Sequence, residues 1–249
     1  MTSSTIDPAE AAHFEKFAQL WWNPDGPFWP LHRLNALRLG YIRDRLAARF
    51  GLDPGAELPL AGLCVLDIGC GGGLLSEAVA RLGAEVHGVD VVEKNIRVAA
   101  SHASESGLSI RYEWSSAESL AARGETYDAV LNMEVVEHVA DLPLFMESCA
   151  RLVRPGGVMV IGTINRTLAS FLGAIVAAEY VLRWLPKGTH RWRKFPKPEE
   201  LAHLLERNGM KPADPVGVGV NPFGWRFRLT RYKGINYMLA ASKDRSEQV

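Results

Sequence analysis

The stretch Cys64–Gly73 (CVLDIGCGGG) joins a short apolar strand to a run of glycines. The next residues, Leu74–Leu82, have the pattern of a helix, with Gly83 where that helix would end. Glycines between a strand and a helix let the backbone turn sharply and let a ligand approach it closely. The stretch therefore predicts the first strand–helix unit of a parallel sheet, with a nucleotide-type ligand at the loop.

Strand-like and helix-like segments alternate along the rest of the chain. The predicted strands are Cys64–Gly69, Glu85–Asp90, Leu108–Trp114, Tyr127–Met133, Val158–Thr163, Lys211–Val220 and Ile235–Ala241. The predicted helices are Pro8–Trp22, His32–Phe50, Leu74–Leu82, Val92–Ser104, Glu118–Ala122, Leu142–Val153, Leu168–Leu185 and Pro198–Asn208. This order predicts a doubly wound α/β fold with a mostly parallel, seven-stranded sheet. One domain is expected, made of a helical extension (1–60), a cofactor-binding core (61–165), a helical insertion (166–198) and a C-terminal helix with strands (199–241).

Composition narrows the classes of partner and compartment. The chain has 28 Lys and Arg against 28 Asp and Glu, so its charge balance does not point to nucleic acid as a partner. Its three cysteines lack the spacing of a disulfide framework or a zinc site, which favours a reducing, cytoplasmic compartment. The first residues lack the pattern of a secretory signal, and no apolar run reaches the roughly 18 residues that a membrane-spanning helix needs.

Two acidic residues decide between nucleotide cofactors. Asp90 ends the second predicted strand, where a carboxylate can bind both hydroxyls of a ribose. A dinucleotide loop of the GxGxxG type would need a third glycine where this chain has Leu74. Asp67 would repel the pyrophosphate of NAD(P), whereas it suits the ammonium and sulfonium groups of S-adenosylmethionine. The loop favours S-adenosylmethionine, with Gly69 and Gly71 as further cofactor-binding positions.

Longer stretches carry a family resemblance. VLDIGCGGG, HGVD and the RPGG turn before VMVIGT resemble class I S-adenosylmethionine-dependent methyltransferases. The segments 21–42, 133–139, 163–166, 177–190 and 236–239 look like the ubiquinone-biosynthesis O-methyltransferase family, over residues 12 to 240. The resemblance implies methylation of both catechol-type hydroxyls of polyprenylated quinone precursors. It also implies cofactor contacts at Arg38, Gly69, Asp90 and Met133, with Arg38 suited to the cofactor's carboxylate and Met133 to the adenine.

The stretch Asn132–Val139 (NMEVVEHV) offers three ionisable side chains at the end of the fourth predicted strand. If the chain turned into a helix there, Glu134, Glu137 and His138 would share one side and could bind a divalent ion, with magnesium preferred over zinc or manganese. The resemblance also implies such a metal, which would acidify a bound catechol. His138 and Glu134 are the candidate catalytic residues. Two alternatives to the metal stay open, namely His138 as a metal-free general base and a purely structural cluster.

The predicted insertion combines an apolar segment with cations. Residues 168–178 carry no charge, and the basic residues that follow are accompanied by Trp184 and Trp192. This pattern predicts contact of 168–197 with an anionic membrane surface, peripheral on its inner face, or else a lid over the active site. Other proteins of ubiquinone biosynthesis are further candidate partners.

Three competing functions remain at this point. One is a small-molecule or quinone methyltransferase that works without metal, and another is a non-catalytic quinone- or lipid-binding protein. The third, an NAD-dependent oxidoreductase, is disfavoured by Asp67 and Leu74.

Overall fold

A computed structural model describes residues 5–171, 192–221 and 226–245 of the chain. The described strands are β1 (Cys64–Ile68), β2 (Glu85–Asp90), β3 (Arg111–Trp114), β4 (Tyr127–Met133), β5 (Val153–Ile164), β6 (Met210–Pro212), β7 (Val216–Asn221), β8 (Arg226–Thr230) and β9 (Asn236–Lys243). The described helices are α1 (Pro8–Glu15), α2 (Trp29–Phe50), α3 (Leu74–Ala80), α4 (Glu93–Glu105), α5 (Ala117–Ala122), α6 (Leu142–Leu152), α7 (Leu168–Ser170) and α8 (Pro198–Arg207). Single turns of 3₁₀-helix lie at Ala18–Leu20 and Trp192–Lys194.

All described strands belong to one sheet, in the order β3-β2-β1-β4-β5-β9-β7-β8, with β6 paired to β9. Strands β1 to β5 are parallel to one another, whereas β9 runs antiparallel to β5. The strand order reverses direction between β1 and β4, and such a reversal opens a crevice beyond the carboxyl ends of the strands. The expected doubly wound α/β class is confirmed, and the crevice lies beside the glycine loop.

The core occupies both faces of this sheet. Along β4, Val130 belongs to one apolar cluster while its neighbours Ala129 and Leu131 belong to the other. This alternation follows from the two-residue period of a strand. The first cluster includes residues of α5, α6 and α8, and the second includes residues of α2 and α3. Because both faces are covered, the central strands are almost continuously apolar.

The N-terminal helices differ from the prediction Pro8–Trp22 and His32–Phe50. Helix α1 ends at Glu15, and both tryptophans lie beyond it at the glycine loop. The Trp21 indole packs against Gly71 and Gly72, and the Trp22 indole N–H donates to the Gly72 carbonyl. Helix α2 begins at Trp29, three residues earlier than expected, with a proline in its first turn, where no backbone N–H is needed.

The sheet has nine strands among the described residues, where seven were expected. The candidate Lys211–Val220 is split into β6 and β7, with Pro215, which has no N–H for strand pairing, between them. Strand β8 was missed because RFRLT lacks the hydrophobicity of a buried strand; it pairs with β7 as an edge hairpin. Strand β5 begins at Val153 rather than Val158, through a register irregularity opposite Tyr127.

The insertion is described only at its ends. Helix α7 begins where expected, after Thr167, whose hydroxyl accepts a hydrogen bond from the Ser170 N–H (3.0 Å). The remainder of the predicted helix Leu168–Leu185, beyond Phe171, lies outside the described residues. Within the described part of the chain, none of the helices has the length and apolar character needed to cross a bilayer.

Candidate active site

The glycine loop after β1 is tied to the end of β2 by Asp90. The Asp90 carboxylate accepts hydrogen bonds from the Gly71 N–H (2.9 Å) and from the Val92 N–H (2.7 Å). Gly69 and Gly71 have φ angles of +67° and +56°, a region that disfavours residues with a Cβ. Burial raises the pKa of Asp90, and the two N–H donors counter this by stabilising its charge. Asp90 therefore fixes the loop and also lines the cavity beside it.

Protein side chains fill much of the space that these glycines leave. A Cβ at Gly71 or Gly72 would meet the Trp21 indole, and a Cβ at Gly69 would meet Val135. Gly69 lines the cavity, whereas Gly71 does not. Close approach of a ligand thus explains only some of these glycines, because the packing of Trp21 also requires glycine at positions 71 and 72.

Trp21 and Trp22 both contact the glycine loop and are fixed by further contacts, an arrangement that we call the tryptophan clasp. Trp21 stacks on Phe28 with ring centroids 3.8 Å apart, and its indole N–H donates to Asn95 Oδ1 (2.9 Å). The Trp22 indole N–H donates to the Gly72 carbonyl (2.8 Å), and its ring stacks on His102. Through this tryptophan clasp, the conformation of the glycine loop depends on the N-terminal segment.

The N-terminal segment is also tied to the chain beyond β4 and to the 3₁₀ turn at Trp192–Lys194. The Ala140 N–H donates to the Thr5 carbonyl (2.8 Å), and Lys194 forms an ion pair with Asp7 (2.8 Å). Asp7 is also the N-cap of α1, so this ion pair holds the start of the helix in place. We call residues 5–28 the N-terminal cover.

A cavity of about 350 Å³ lies between this cover and the carboxyl ends of β1, β2 and β4. Among the described residues that line it, the acidic ones outnumber the basic ones. The acidic residues are Asp7, Glu10, Asp67, Asp90, Glu118 and Glu134, against Arg38 and His138. The remaining lining is largely apolar, including Phe14, Phe28, Leu31, Leu34, Phe145 and Ile164. A ligand that carries positive charge suits such a cavity better than one that carries a pyrophosphate.

Asp67 is the most deeply placed of these acids. It is 2 % exposed, and its carboxylate accepts a hydrogen bond from the Ser76 hydroxyl (2.6 Å). Burial raises the pKa of Asp67 to about 7; the Ser76 hydrogen bond opposes this rise and the charge of Asp90 adds to it. The group therefore titrates near neutral pH, and a cationic ligand would favour its ionised form.

The stretch after β4 does not form the helical turn considered for it. The strand ends at Met133, and Glu134 adopts φ +58°, the only positive φ at a non-glycine among the described residues. The Glu134 N–H donates to the Gly162 carbonyl (2.8 Å), and the His138 N–H closes a turn on the Val135 carbonyl (2.9 Å). The bend at Glu134 directs the chain away from a helix, so the i, i+3, i+4 arrangement is not present.

The three ionisable side chains of this stretch contact three different partners. Glu134 forms an ion pair with Arg38 and lies 3.4 Å from the Asn236 amide. Glu137 is buried and accepts a hydrogen bond from the Thr163 hydroxyl (2.8 Å). Burial and the neighbouring Glu134 carboxylate raise the pKa of Glu137 well above its usual range.

His138 contacts the N-terminal cover. Its Nδ1 lies 3.0 Å from Glu10 Oε2, and its ring meets Phe14 edge-on, with centroids 5.1 Å apart. In the described part of the chain, no group of three His, Cys, Asp or Glu side chains converges as metal ligands. As arranged here, the expected set Glu134, Glu137 and His138 does not fit a metal ion, because a guanidinium holds Glu134 and His138 faces another carboxylate.

Of the expected cofactor residues, five line the same cavity. They are Arg38, Asp67, Gly69, Asp90 and Met133. Met133 is buried, and its methyl group packs against Gly162, where a Cβ would come within 2.6 Å of it. Sequence reasoning missed Glu10, Phe14 and Asn236, which lie far from the other residues along the chain. A buried acid on the short helix α1 gave no local signal.

The comparisons with known proteins agree with this geometry. The family described as "Methyltransferase domain" matches residues 33–213. The ubiquinone biosynthesis O-methyltransferase of Rhizobium etli is 54 % identical over 240 residues, covering 96 % of this chain and 97 % of that protein. The protein of the same name from Cereibacter sphaeroides is 55 % identical over 241 residues, covering 96 % of this chain and 98 % of its own length.

Solved structures with lower identity share the fold. A magnesium protoporphyrin IX methyltransferase from Synechocystis with bound SAH matches with a TM-score of 0.65 at 20 % identity, covering 94 % of this chain and 96 % of that one. A possible histamine N-methyltransferase from Thermotoga maritima matches with a TM-score of 0.63 at 18 % identity, covering 94 % of this chain and all of the other. At such identities the likeness concerns the fold alone.

Proposed function

Because this chain belongs to the ubiquinone biosynthesis O-methyltransferase family, and is thus an S-adenosylmethionine-dependent O-methyltransferase, we propose that it methylates catechol-type hydroxyls of polyprenylated ubiquinone precursors. We propose both O-methylation steps for it, as the resemblance implies. The observation that carries the proposal is the acidic, otherwise apolar cavity at the carboxyl ends of β1, β2 and β4. Its charge suits a sulfonium cofactor, and its apolar walls suit an aromatic ring.

The residues on the cofactor side have distinct proposed roles. Arg38 would bind the carboxylate of the methionine moiety, and Asp67 would bind its ammonium. Asp90 would accept hydrogen bonds from the ribose hydroxyls, at the strand end where that role is usual. Met133 would pack on the adenine, and Gly69 would allow close approach. Bound S-adenosylmethionine supplies a methyl carbon that its sulfonium already activates for displacement.

On the substrate side, His138 is the proposed general base. A carboxylate at Glu10 accepts a hydrogen bond from the His138 Nδ1–H, which places the basic lone pair of the imidazole on Nε2. His138 can then take the proton of a catechol hydroxyl as the oxygen attacks the methyl carbon. Phe14 holds the ring edge-on, and the N-terminal cover limits water around the reacting atoms. Alignment of the two reactants supplies much of the remaining rate.

The sequence also predicted a divalent metal ion that assists the transfer, and the present side-chain positions do not support it. Glu134 would have to leave Arg38, and His138 would have to leave Glu10, before the set could meet one ion. We therefore derive no step through a metal. The Arg38–Glu134 ion pair favours the metal-free route, with His138 as the base.

One assay tests both the activity and the role of metal. Methyl transfer from S-adenosylmethionine to a short-chain catechol is measured with chelator and then across magnesium, manganese and zinc. Transfer to the catechol oxygen supports the proposed function, and its complete absence under every condition contradicts it. Full activity of both the chelated enzyme and Glu134→Ala would exclude the metal role, whereas loss on chelation with recovery on adding one ion would support it.

Membrane attachment is a separate proposal. A polyprenyl tail partitions into a bilayer, so the enzyme has to reach its substrate at the surface. We propose that the segment 168–197 makes this contact, although residues 172–191 lie outside the described part of the chain. Of its described ends, Leu168 is 71 % exposed, and Phe171 is also exposed.

A further inference from the structure

The active-site cavity is lined by several acids and, among its described residues, by one guanidinium. Arg38, on α2, is 6 % exposed and forms an ion pair with Glu134 on the loop after β4. It is the only arginine or lysine among the described residues that line the cavity. The proposed function gives Arg38 a second carboxylate to bind, that of the cofactor's methionine moiety. Two carboxylates therefore compete for one buried cation.

Holding both carboxylates at once would be unfavourable. The described residues that line the cavity include no second arginine or lysine to pair with the second carboxylate. Like charges in a poorly solvated site repel each other strongly. A bidentate carboxylate from the cofactor would occupy the planar fork of the guanidinium.

The surroundings of Glu134 favour its release from Arg38. Its backbone has φ +58°, a sparsely populated region for a residue with a Cβ. Besides Arg38, its carboxylate contacts the Asn236 amide at the longer distance of 3.4 Å and the carboxyl group of Glu137, which offers it no positive charge. Glu134 lines the same cavity as His138, so a small movement of its side chain would keep it within the active site.

We propose that Arg38 exchanges carboxylates, holding Glu134 while the cofactor is absent and passing to the cofactor's carboxylate when it binds, so that Glu134 becomes available to the substrate. This inference rests on the proposed function. The released carboxylate accepts a hydrogen bond from a catechol hydroxyl and helps to orient it. Substrate then binds productively after the cofactor, because the cofactor is what releases Glu134.

Calorimetric titration with two ligands tests the exchange. S-adenosylhomocysteine carries the amino-acid moiety, whereas 5′-methylthioadenosine lacks it and cannot compete for Arg38. Glu134→Gln removes the competing charge, so S-adenosylhomocysteine should bind about 5- to 10-fold more tightly, within the usual range of coupling between sites. The affinity for 5′-methylthioadenosine should not change. Arg38→Gln should weaken S-adenosylhomocysteine alone, by about 10-fold or more.

Matched variants keep the result interpretable. Glu134→Asp retains the charge and should stay near the wild-type affinity. Asp44→Asn, at an exposed acid on α2 that pairs with Arg43 (2.7 Å), should alter neither affinity. Thermal unfolding of each variant shows whether it folds, and Glu134→Asp still reports on the charge if Glu134→Gln does not fold.

The possible outcomes distinguish a failure of the carboxylate exchange from a failure of the proposed function. Unchanged or weaker binding of S-adenosylhomocysteine by Glu134→Gln overturns the exchange while leaving the proposed function intact. If the charge-retaining Glu134→Asp bound S-adenosylhomocysteine as tightly as predicted for Glu134→Gln, the exchange would also be overturned. Failure of the wild-type chain to bind S-adenosylmethionine, S-adenosylhomocysteine or 5′-methylthioadenosine would instead contradict the proposed function itself.

Discussion

The indole of Trp21 lies so close to Gly71 that a Cβ added at Gly71 would come within 2.4 Å of its ring. Gly71 also has φ +56°, so an alanine there would face both a clash and an unfavourable backbone conformation. These two residues are fifty positions apart, and their contact joins the N-terminal cover to the glycine loop.

We expect Gly71→Ala to destabilise the fold by about 2–4 kcal/mol, from overpacking and left-handed strain together. Gly107→Ala is the matched control, since Gly107 has φ +67° but nothing within 4 Å of the added Cβ. The control should cost about 1 kcal/mol and leave cofactor affinity unchanged. Urea unfolding and calorimetry measure both effects. Equal losses in the two variants would show that Trp21 does not constrain the loop.

His138→Ala should lower kcat by about 10²- to 10⁴-fold, the usual contribution of a general base. Glu10→Gln should lower it less, because the amide oxygen can still accept the Nδ1–H hydrogen bond. Affinity for S-adenosylhomocysteine should stay constant in both variants, which separates chemistry from cofactor binding. Steady-state kinetics with a short-chain catechol provides the measurement, with Asp44→Asn as control. A His138→Ala variant that keeps most of its kcat would remove His138 as the base.

The stability of the cofactor-free protein should depend on Asp67 in the acidic range. Burial raises the pKa of Asp67 from its ordinary 3.8 to about 7, so the folded chain binds more protons than the unfolded chain between these values. The contribution of Asp67 therefore becomes less favourable as pH rises from about 4 to about 7, by at most about 4 kcal/mol, and is constant above that. Asp67→Asn should flatten this part of the profile in urea unfolding. An unchanged profile would show that Asp67 is ionised throughout.

Cofactor affinity should respond to pH in the opposite sense. Ionised Asp67 attracts the cationic end of S-adenosylmethionine, whereas its protonated form does not. We expect affinity to rise between about pH 6 and 8, with release of a proton on binding, and to level off above the pKa of Asp67. Calorimetry in buffers of different ionisation enthalpy measures that proton. Proton release that persists at full size in Asp67→Asn would assign it to another group.

Binding to anionic liposomes is predicted to fall when basic residues of the segment 168–197 are reversed in charge. Lys194 is a poor choice for that test, because it forms an ion pair with Asp7 and supports the N-terminal cover. Arg191→Glu with Arg193→Glu is the better pair. Co-sedimentation that shows no dependence on salt or on these charges would end the membrane proposal.

The sequence predicted the parts of the site that arise from local patterns. The glycine loop and Asp90 follow directly from strand ends, and the expected fold class is confirmed. Contacts across long stretches of chain could not be predicted in this way. Arg38 meets Glu134 across 96 positions, and Glu10 meets His138 across 128. The helical arrangement of Glu134, Glu137 and His138 was wrong because a left-handed bend at a glutamate has no sequence signal.

The two ends of the insertion meet. The ring of Phe171 contacts that of Trp192, with centroids 6.1 Å apart, and the Trp192 indole N–H donates to the Thr167 carbonyl (2.9 Å). The described residues on either side of positions 172–191 thus lie next to each other. Joining Phe171 to Trp192 with a few glycines should leave the sheet and the cofactor cavity unchanged, since shortening a connection whose ends already touch changes little in the fold. The segment can in this sense be exchanged, and a chain without it would report on the proposed membrane contact while keeping the same catalytic centre.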